Sequence, residues 1–207
     1  MSRPLVLASA SPRRRELLAS LDVPFDVRPS TDEERSDASS PDAVVRELAL
    51  SKATAVAALA PGRAVLGADT TVVLDGESLG KPSDAAEAAS MLRALRGRTH
   101  DVFTGVAVVE GETTRVGHVV TRVRMRAYSD REIDRYVAGG SPFDKAGAYA
   151  IQDGDFAPVE RHEGCECSVI GLPLWTARRL LREAADIEGG PPPFERCAGC
   201  PEREVTT

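Results

Sequence analysis

The stretch Val65-Leu-Gly-Ala-Asp-Thr-Thr-Val-Val-Leu74, closed at once by Asp75-Gly76, decides the fold. Its β-branched and apolar residues predict a buried strand, and Asp-Gly is the dipeptide of a tight type I′ hairpin turn. A carboxylate in the middle of this run is out of place. Aspartate is depleted in strands and costs several kcal/mol, roughly, when buried without a partner. Asp69 is therefore read in two ways. It is either a strand-end carboxylate hydrogen-bonded to turn amides, or a general base or metal ligand at the mouth of a sheet.

Outward from this strand, helices and strands alternate. Before it lies a helix capped by Ser40 with Pro41 in its first turn, its apolar stripe formed by Val44, Val45, Leu48, Ala55, Val56 and Leu59, and stopped by Gly62. Lys52 sits on this helix among small residues. Further back, Pro4-Leu-Val-Leu-Ala8 reads as a short buried strand, and Ser11-Pro12 opens a helix whose core stripe is Leu17, Leu18 and Leu21. After it come a helix from about Ser83 to Leu95 and two long strands over 100–127 turning at Glu110-Gly111. Arg122, Arg124 and Arg126 alternate with Val123 and Met125, which predicts one solvated face. Ser129-Asp-Arg-Glu132 is a capping box, a polar loop runs over 141–152, and Pro173 starts a last helix. The pattern predicts an α/β fold, a mixed twisted β-sheet flanked by helices, over 1–186. Residues 187–207, rich in Gly, Pro and Cys, are expected to be a tail.

Composition excludes several classes. The net charge of −6 argues against a stable nucleic-acid complex, and no apolar run is long enough to span a membrane. No hydrophobic signal segment is recognised at the N-terminus, so a cytoplasmic protein is expected. The 207 residues carry 23 Arg but only three Lys, at positions 52, 81 and 145. A chain that otherwise uses Arg marks, by each Lys, either chance or a place needing a compact ammonium, such as a phosphate contact.

Three segments carry the chemistry. Ser9-Ala-Ser-Pro-Arg-Arg-Arg15 puts three guanidinium groups at a helix N-terminus, where the backbone already repels cations by about 0.3–1 kcal/mol each. Solvated side chains would tolerate that; a bound anion would reverse it. Asp144-Lys-Ala-Gly-Ala-Tyr-Ala-Ile-Gln152 pairs a Lys with Gly backbone that permits close phosphate approach, and Gln152 offers a donor and an acceptor to a base edge. Gly80-Lys81-Pro82 adds another cation. Several cations around one buried acid are the equipment for hydrolysing a polyphosphate with a divalent metal. The motifs of P-loop NTPases, dinucleotide dehydrogenases and zinc proteases are absent from the sequence.

Taken together, SASPRRRELL, Lys52-Ala53, GADTTV, GKP, LRGRTHDVFTGVAV, DKAGAYAIQ and VIGLPL occur in the order found in the Maf family, which this chain resembles over roughly residues 4–185. The resemblance implies an ITPase-like (Maf-like) fold with a cleft between two lobes, often as a homodimer. It implies hydrolysis of a nucleoside triphosphate to the monophosphate and pyrophosphate with Mg²⁺ or Mn²⁺. On this resemblance Asp69 matches the catalytic proton acceptor and a metal ligand. Ser9, Arg13, Arg14, Lys52, Lys81 and Lys145 match residues lining the phosphate cleft. Glu34 fits a further metal ligand, with Glu33 left open. Arg13, Thr70 and Gln152 resemble the branch acting on dTTP and UTP. The alternative is a nucleotide- or nucleic-acid-binding regulator of cell division with little turnover.

The chain departs from the family pattern at Gly164-Cys-Glu-Cys-Ser-Val-Ile-Gly-Leu-Pro173 and in the tail. Cys165-Glu-Cys167 and Cys197-Ala-Gly-Cys200 could together make a tetrahedral Zn²⁺ site, tying tail to body. The residues alone favour the alternative, four free thiols.

Overall fold

One mixed seven-stranded sheet organises the protein in a computed structural model that describes residues 5–31 and 35–203. Its central path is β2 (Phe25–Val27), β1 (Leu5–Leu7), β3 (Val65–Leu74), β5 (Thr99–Glu110), β6 (Thr113–Met125) and β7 (Val159–Glu163), with β4 (Glu77–Leu79) paired to β3. β1 runs parallel to both β2 and β3, and the remaining pairs are antiparallel. The hairpin after β3 turns as its dipeptide predicts, with positive φ at Asp75 and Gly76 (54° and 87°).

The helices cover both faces. α1 (Pro12–Ala19) follows β1, α2 (Pro41–Ala58) precedes β3, α3 (Ala85–Leu95) and α4 (Asp130–Ala138) cover the far end, and α5 (Glu166–Ile170) and α6 (Leu174–Ala185) close the near end. Three apolar clusters result. One lies between α1, α6 and the sheet, one around α3 and α4, and one beneath α2. Ser11 caps α1 and Ser129 and Glu132 complete the capping box of α4, both as the sequence predicts.

The position of α2 is set by two glycines. A side-chain carbon on Gly67 would stand 2.3 Å from the Ala49 carbonyl oxygen, and one on Gly105 would stand 2.1 Å from that of Val45. The helix backbone thus rests directly on β3 at Ala49 and Ala53 and on β5 at Val45. The expected apolar stripe of α2 divides accordingly. Val45 and Val56 are buried, which contributes about 1.5–3 kcal/mol each, whereas Leu59 is 59 % exposed just past the helix end. The helix stops at Ala58, short of Gly62.

Other boundaries differ from the sequence reading. α3 starts at Ala85 rather than at about Ser83, with Asp84 as its cap, whose side chain accepts the Glu87 amide. The polar loop contains two short 3₁₀ turns, Ser141–Asp144 and Ala146–Ala148. β2, β7 and α5, of three, five and five residues, are too short for periodicity to reveal. Residues 187–203 pack against the body, with the one-turn α7 (Glu195–Ala198) near their end and Cys197 and Cys200 in the core cluster beside α6.

Candidate active site

The carboxyl end of β1, the N-terminus of α1, the middle of β3 and the 141–152 loop converge on one cleft of about 610 Å³. That volume falls within the range of small-molecule sites. Asp69 lies at its floor, opposite Gly105 in the β3–β5 ladder, and is 8 % exposed. The close seating of α2 on Gly67 and Gly105 brings Lys52 over the sheet, and its Nζ donates to Asp69 Oδ1 at 2.6 Å. Neither group stands as an unpaired charge.

The arginine run divides three ways. Arg14 turns inward. Its Nε donates to the Gly171 carbonyl at 2.9 Å, Nη1 to Ser9 Oγ at 3.3 Å and Nη2 to Thr70 Oγ1 at 3.1 Å. Thr70 in turn lies 2.9 Å from Thr104 Oγ1, which donates to the Ser168 carbonyl at 2.7 Å. One planar guanidinium thereby joins α1, β3 and the residue after α5. Arg13 reaches across the cleft to Asp144, with Nη1–Oδ2 at 2.8 Å and Nη2 to the Asp144 carbonyl at 3.1 Å. Arg15 is exposed and does not line the cleft.

Lys145 Nζ donates to Asp144 Oδ1 at 2.6 Å and to the Ser141 carbonyl. Burial alone would raise the Asp144 carboxyl, but the Lys145 hydrogen bond and the Arg13 charge outweigh it and hold the carboxyl below its usual range. Lys81 is exposed and has no ion-pair partner among the described residues. Gln152 is exposed at the cleft.

Nine residues singled out from the sequence therefore line one cleft: Ser9, Arg13, Arg14, Lys52, Asp69, Thr70, Lys81, Lys145 and Gln152. Glu33 and Glu34 lie outside the described residues. Five cationic side chains and two carboxylates form the described lining, in a protein of net charge −6. Among the described residues no group of three or more His, Cys, Asp and Glu side chains is set to hold a metal ion. Sequence reasoning missed Thr104, Gly171 and the apolar wall of Val44 and Leu48, all reached through contacts between distant segments. Val44 and Leu48 look like ordinary core residues of α2 until the helix is docked.

Behind the cleft, Tyr149 is backed by His100, whose Nε2 lies 2.7 Å from the tyrosine hydroxyl. His100 Nδ1 is buried with no hydrogen-bond partner, and burial pulls the imidazole down to about 4. The unfolded chain, with an ordinary imidazole near 6.5, then binds more protons than the folded one between those values. Stability from this residue is full above pH 6.5 and is lost as pH falls toward 4. The loss approaches about 3 kcal/mol at the lower end. His100→Gln keeps a polar partner for Tyr149 and does not titrate, so its melting temperature is expected to fall less between pH 7 and pH 4.5. Equal slopes for the two proteins would refute the account.

The Maf-like protein family matches residues 4–184, a range that contains every residue lining this cleft. The chain belongs to the Maf-like family. It is 51 % identical over 211 residues to the dTTP/UTP pyrophosphatase of Thermomicrobium roseum, covering 98 % of this chain and 96 % of that one. It is 52 % identical over 182 residues to the dTTP/UTP pyrophosphatase of Myxococcus xanthus, covering 87 % and 92 %. Among solved structures, the Staphylococcus aureus Ham1 protein overlaps 59 % of this Maf-like chain and 72 % of its own, at TM-score 0.44 and 17 % identity. That overlap is partial. No helix among the described residues is long and apolar enough to cross a membrane.

Proposed function

We propose that this Maf-like protein is a nucleoside triphosphate pyrophosphatase that prefers dTTP and UTP and releases the monophosphate and pyrophosphate. The observation that carries the reading is the enclosed carboxylate of Asp69, at the floor of a cleft lined by five cations, with the other carboxylate, Asp144, held by Arg13 and Lys145. A polyanion fits the cations; a carboxylate enclosed at the floor among them is suited to act on the bound molecule or to hold a cation. The names of the relatives supply the substrate pair.

Lys81, Lys145 and Arg13 bind the phosphates, and Arg14 and Ser9 hold the α1 end of the cleft in place. Asp69 accepts the proton of the attacking water as its oxygen bonds to the α-phosphorus. The bond from that phosphorus to the bridging oxygen breaks, and pyrophosphate leaves with the electron pair. Lys52, whose Nζ donates to Asp69 Oδ1 at 2.6 Å, orients the carboxylate for that task. A Mg²⁺ or Mn²⁺ ion fits an oxygen donor such as Asp69 together with substrate phosphates, with Glu34 proposed as a further ligand. When bound it supplies charge neutralisation at the phosphates. Arg13, Thr70 and Gln152 are proposed to set the base preference. Thr70 acts through Arg14 and Thr104, to which it is hydrogen-bonded, and Gln152 through its exposed amide.

The test is a panel of triphosphates with magnesium, read as pyrophosphate release. dTTP and UTP are expected to be turned over with at least tenfold higher kcat/KM than purine triphosphates. Tight triphosphate binding with no turnover of any member would overturn the enzyme reading in favour of a nucleotide-binding regulator.

A further inference from the structure

The cleft uses none of the four cysteines. Cys165 and Cys167 sit at the start of α5, and Cys197 and Cys200 lie in and just after α7. All four are free thiols, all are buried, and all join the core cluster between α1, α6 and the sheet. Cys167 Sγ and Cys197 Sγ are 3.4 Å apart across a sequence separation of 30. Cys165 is in side-chain contact with Cys200, so each thiol of the α5 segment meets one from the 197–200 segment. Further contacts tie the two segments together. Arg196 Nη1 pairs with Glu166 Oε1 at 2.8 Å, and Trp175 Nε1 donates to the Cys197 carbonyl at 3.0 Å.

A single buried Cys behaves as a small hydrophobe. Four brought into one core cluster by two separate segments, as C-x-C and C-x-x-C, do not follow from packing alone. A divalent cation deprotonates thiols that bind it. As the side chains stand they form pairs, and among the described residues no three are set around a common point for a metal. Zinc at about 2.3 Å from each sulfur places tetrahedral thiolates about 3.8 Å apart. Opening a 3.4 Å contact to that separation takes a small rotation about one side-chain bond.

We propose that Cys165, Cys167, Cys197 and Cys200 form a structural zinc site that fastens residues 187–203 to α5. Binding releases the four thiol protons to solvent, and the four thiolates hold the Zn²⁺ with no change of oxidation state. The site braces the cleft from behind. The Cys167 carbonyl accepts the amides of Gly171 and Leu172, and the Gly171 carbonyl accepts Arg14 Nε. The Ser168 carbonyl holds Thr104 and so Thr70. The zinc site stands whatever the cleft hydrolyses.

The reduced full chain, incubated with Zn²⁺ and desalted, is expected to hold about one zinc by elemental analysis. Co²⁺ in its place should give the thiolate-to-cobalt absorption of a tetrahedral sulfur site. Cys197→Ser/Cys200→Ser should lose the metal and the absorption, whereas Asp69→Asn should keep both, which separates this site from any cation in the cleft. Chelation should lower the melting temperature by roughly 10 °C, restored by added zinc. If the double variant does not accumulate, Cys200→Ser alone and the cobalt spectrum of the unaltered chain decide. Less than a tenth of an equivalent of zinc, no sulfur-to-cobalt band, zinc retained by the cysteine variants, or a Cys167–Cys197 disulfide in the reduced preparation would each overturn the proposal.

Discussion

Asp69→Asn is expected to lower pyrophosphate release from dTTP by about a thousandfold, with KM little changed or lower. The amide has the size of the carboxylate and its oxygen still accepts a hydrogen bond from Lys52, now 2.6 Å from Oδ1. It cannot take a proton from water, and it carries no charge for a divalent cation. The same change leaves five cations facing one carboxylate, Asp144, in the described lining, so the cleft becomes more attractive to a polyanion. Activity and binding should therefore separate: turnover collapses while triphosphate binding holds or tightens. The pair with Lys52 is largely enclosed, with side-chain exposures of 12 % on both sides, so some destabilisation is expected too. A melting curve on the variant excludes unfolding as the cause. Wild-type turnover by a folded Asp69→Asn variant would remove Asp69 from the mechanism.

The second large effect is structural. Gly105→Ala would drive a methyl to 2.1 Å from the Val45 carbonyl oxygen and 2.4 Å from its carbon, both backbone atoms in the body of α2. No side-chain rotation relieves that contact, so the helix must lift from β5. The expected cost is about 3 kcal/mol or more, read as a fall of roughly 6–12 °C in melting temperature. Lifting α2 also pulls Lys52 from Asp69, so the folded fraction should lose activity as well. Gly154→Ala is the control: nothing lies within 4 Å of the added carbon, and stability should change by less than about 0.5 kcal/mol. Equal stabilities of the two variants would refute the close-packing account.

The two results bear on one design. Gly67 and Gly105 let a helix touch the sheet, and that contact delivers an ammonium to a strand carboxylate. The sequence announces Asp69 through its oddity within a β-rich run and announces Lys52 through the rarity of lysine. It does not announce Gly105, which sits in a strand with no turn signal nearby. Nor does it show that Val44 and Leu48 wall the cleft while Val45 is buried beneath the helix. Those assignments depend on a rotation of α2 that local periodicity leaves free.

Asp144 shows the same limit. Its place beside Lys145 is visible in the chain, but its pairing with Arg13, 131 residues away, is not. The sequence by itself determined the mixed α/β pattern, the hairpin after Leu74, the helix caps at Ser11 and Ser129, and a set of polar residues with a shared chemistry. Those features follow from periodicity, turn residues and side-chain type, all of which act over a few positions. Only the tertiary structure decided that nine of those residues line one cleft, that Arg14 braces it while Arg13 crosses it, and that four thiols meet behind it. These depend on which segments pack together, and packing is chosen by the burial of the whole core rather than by any short stretch of the chain.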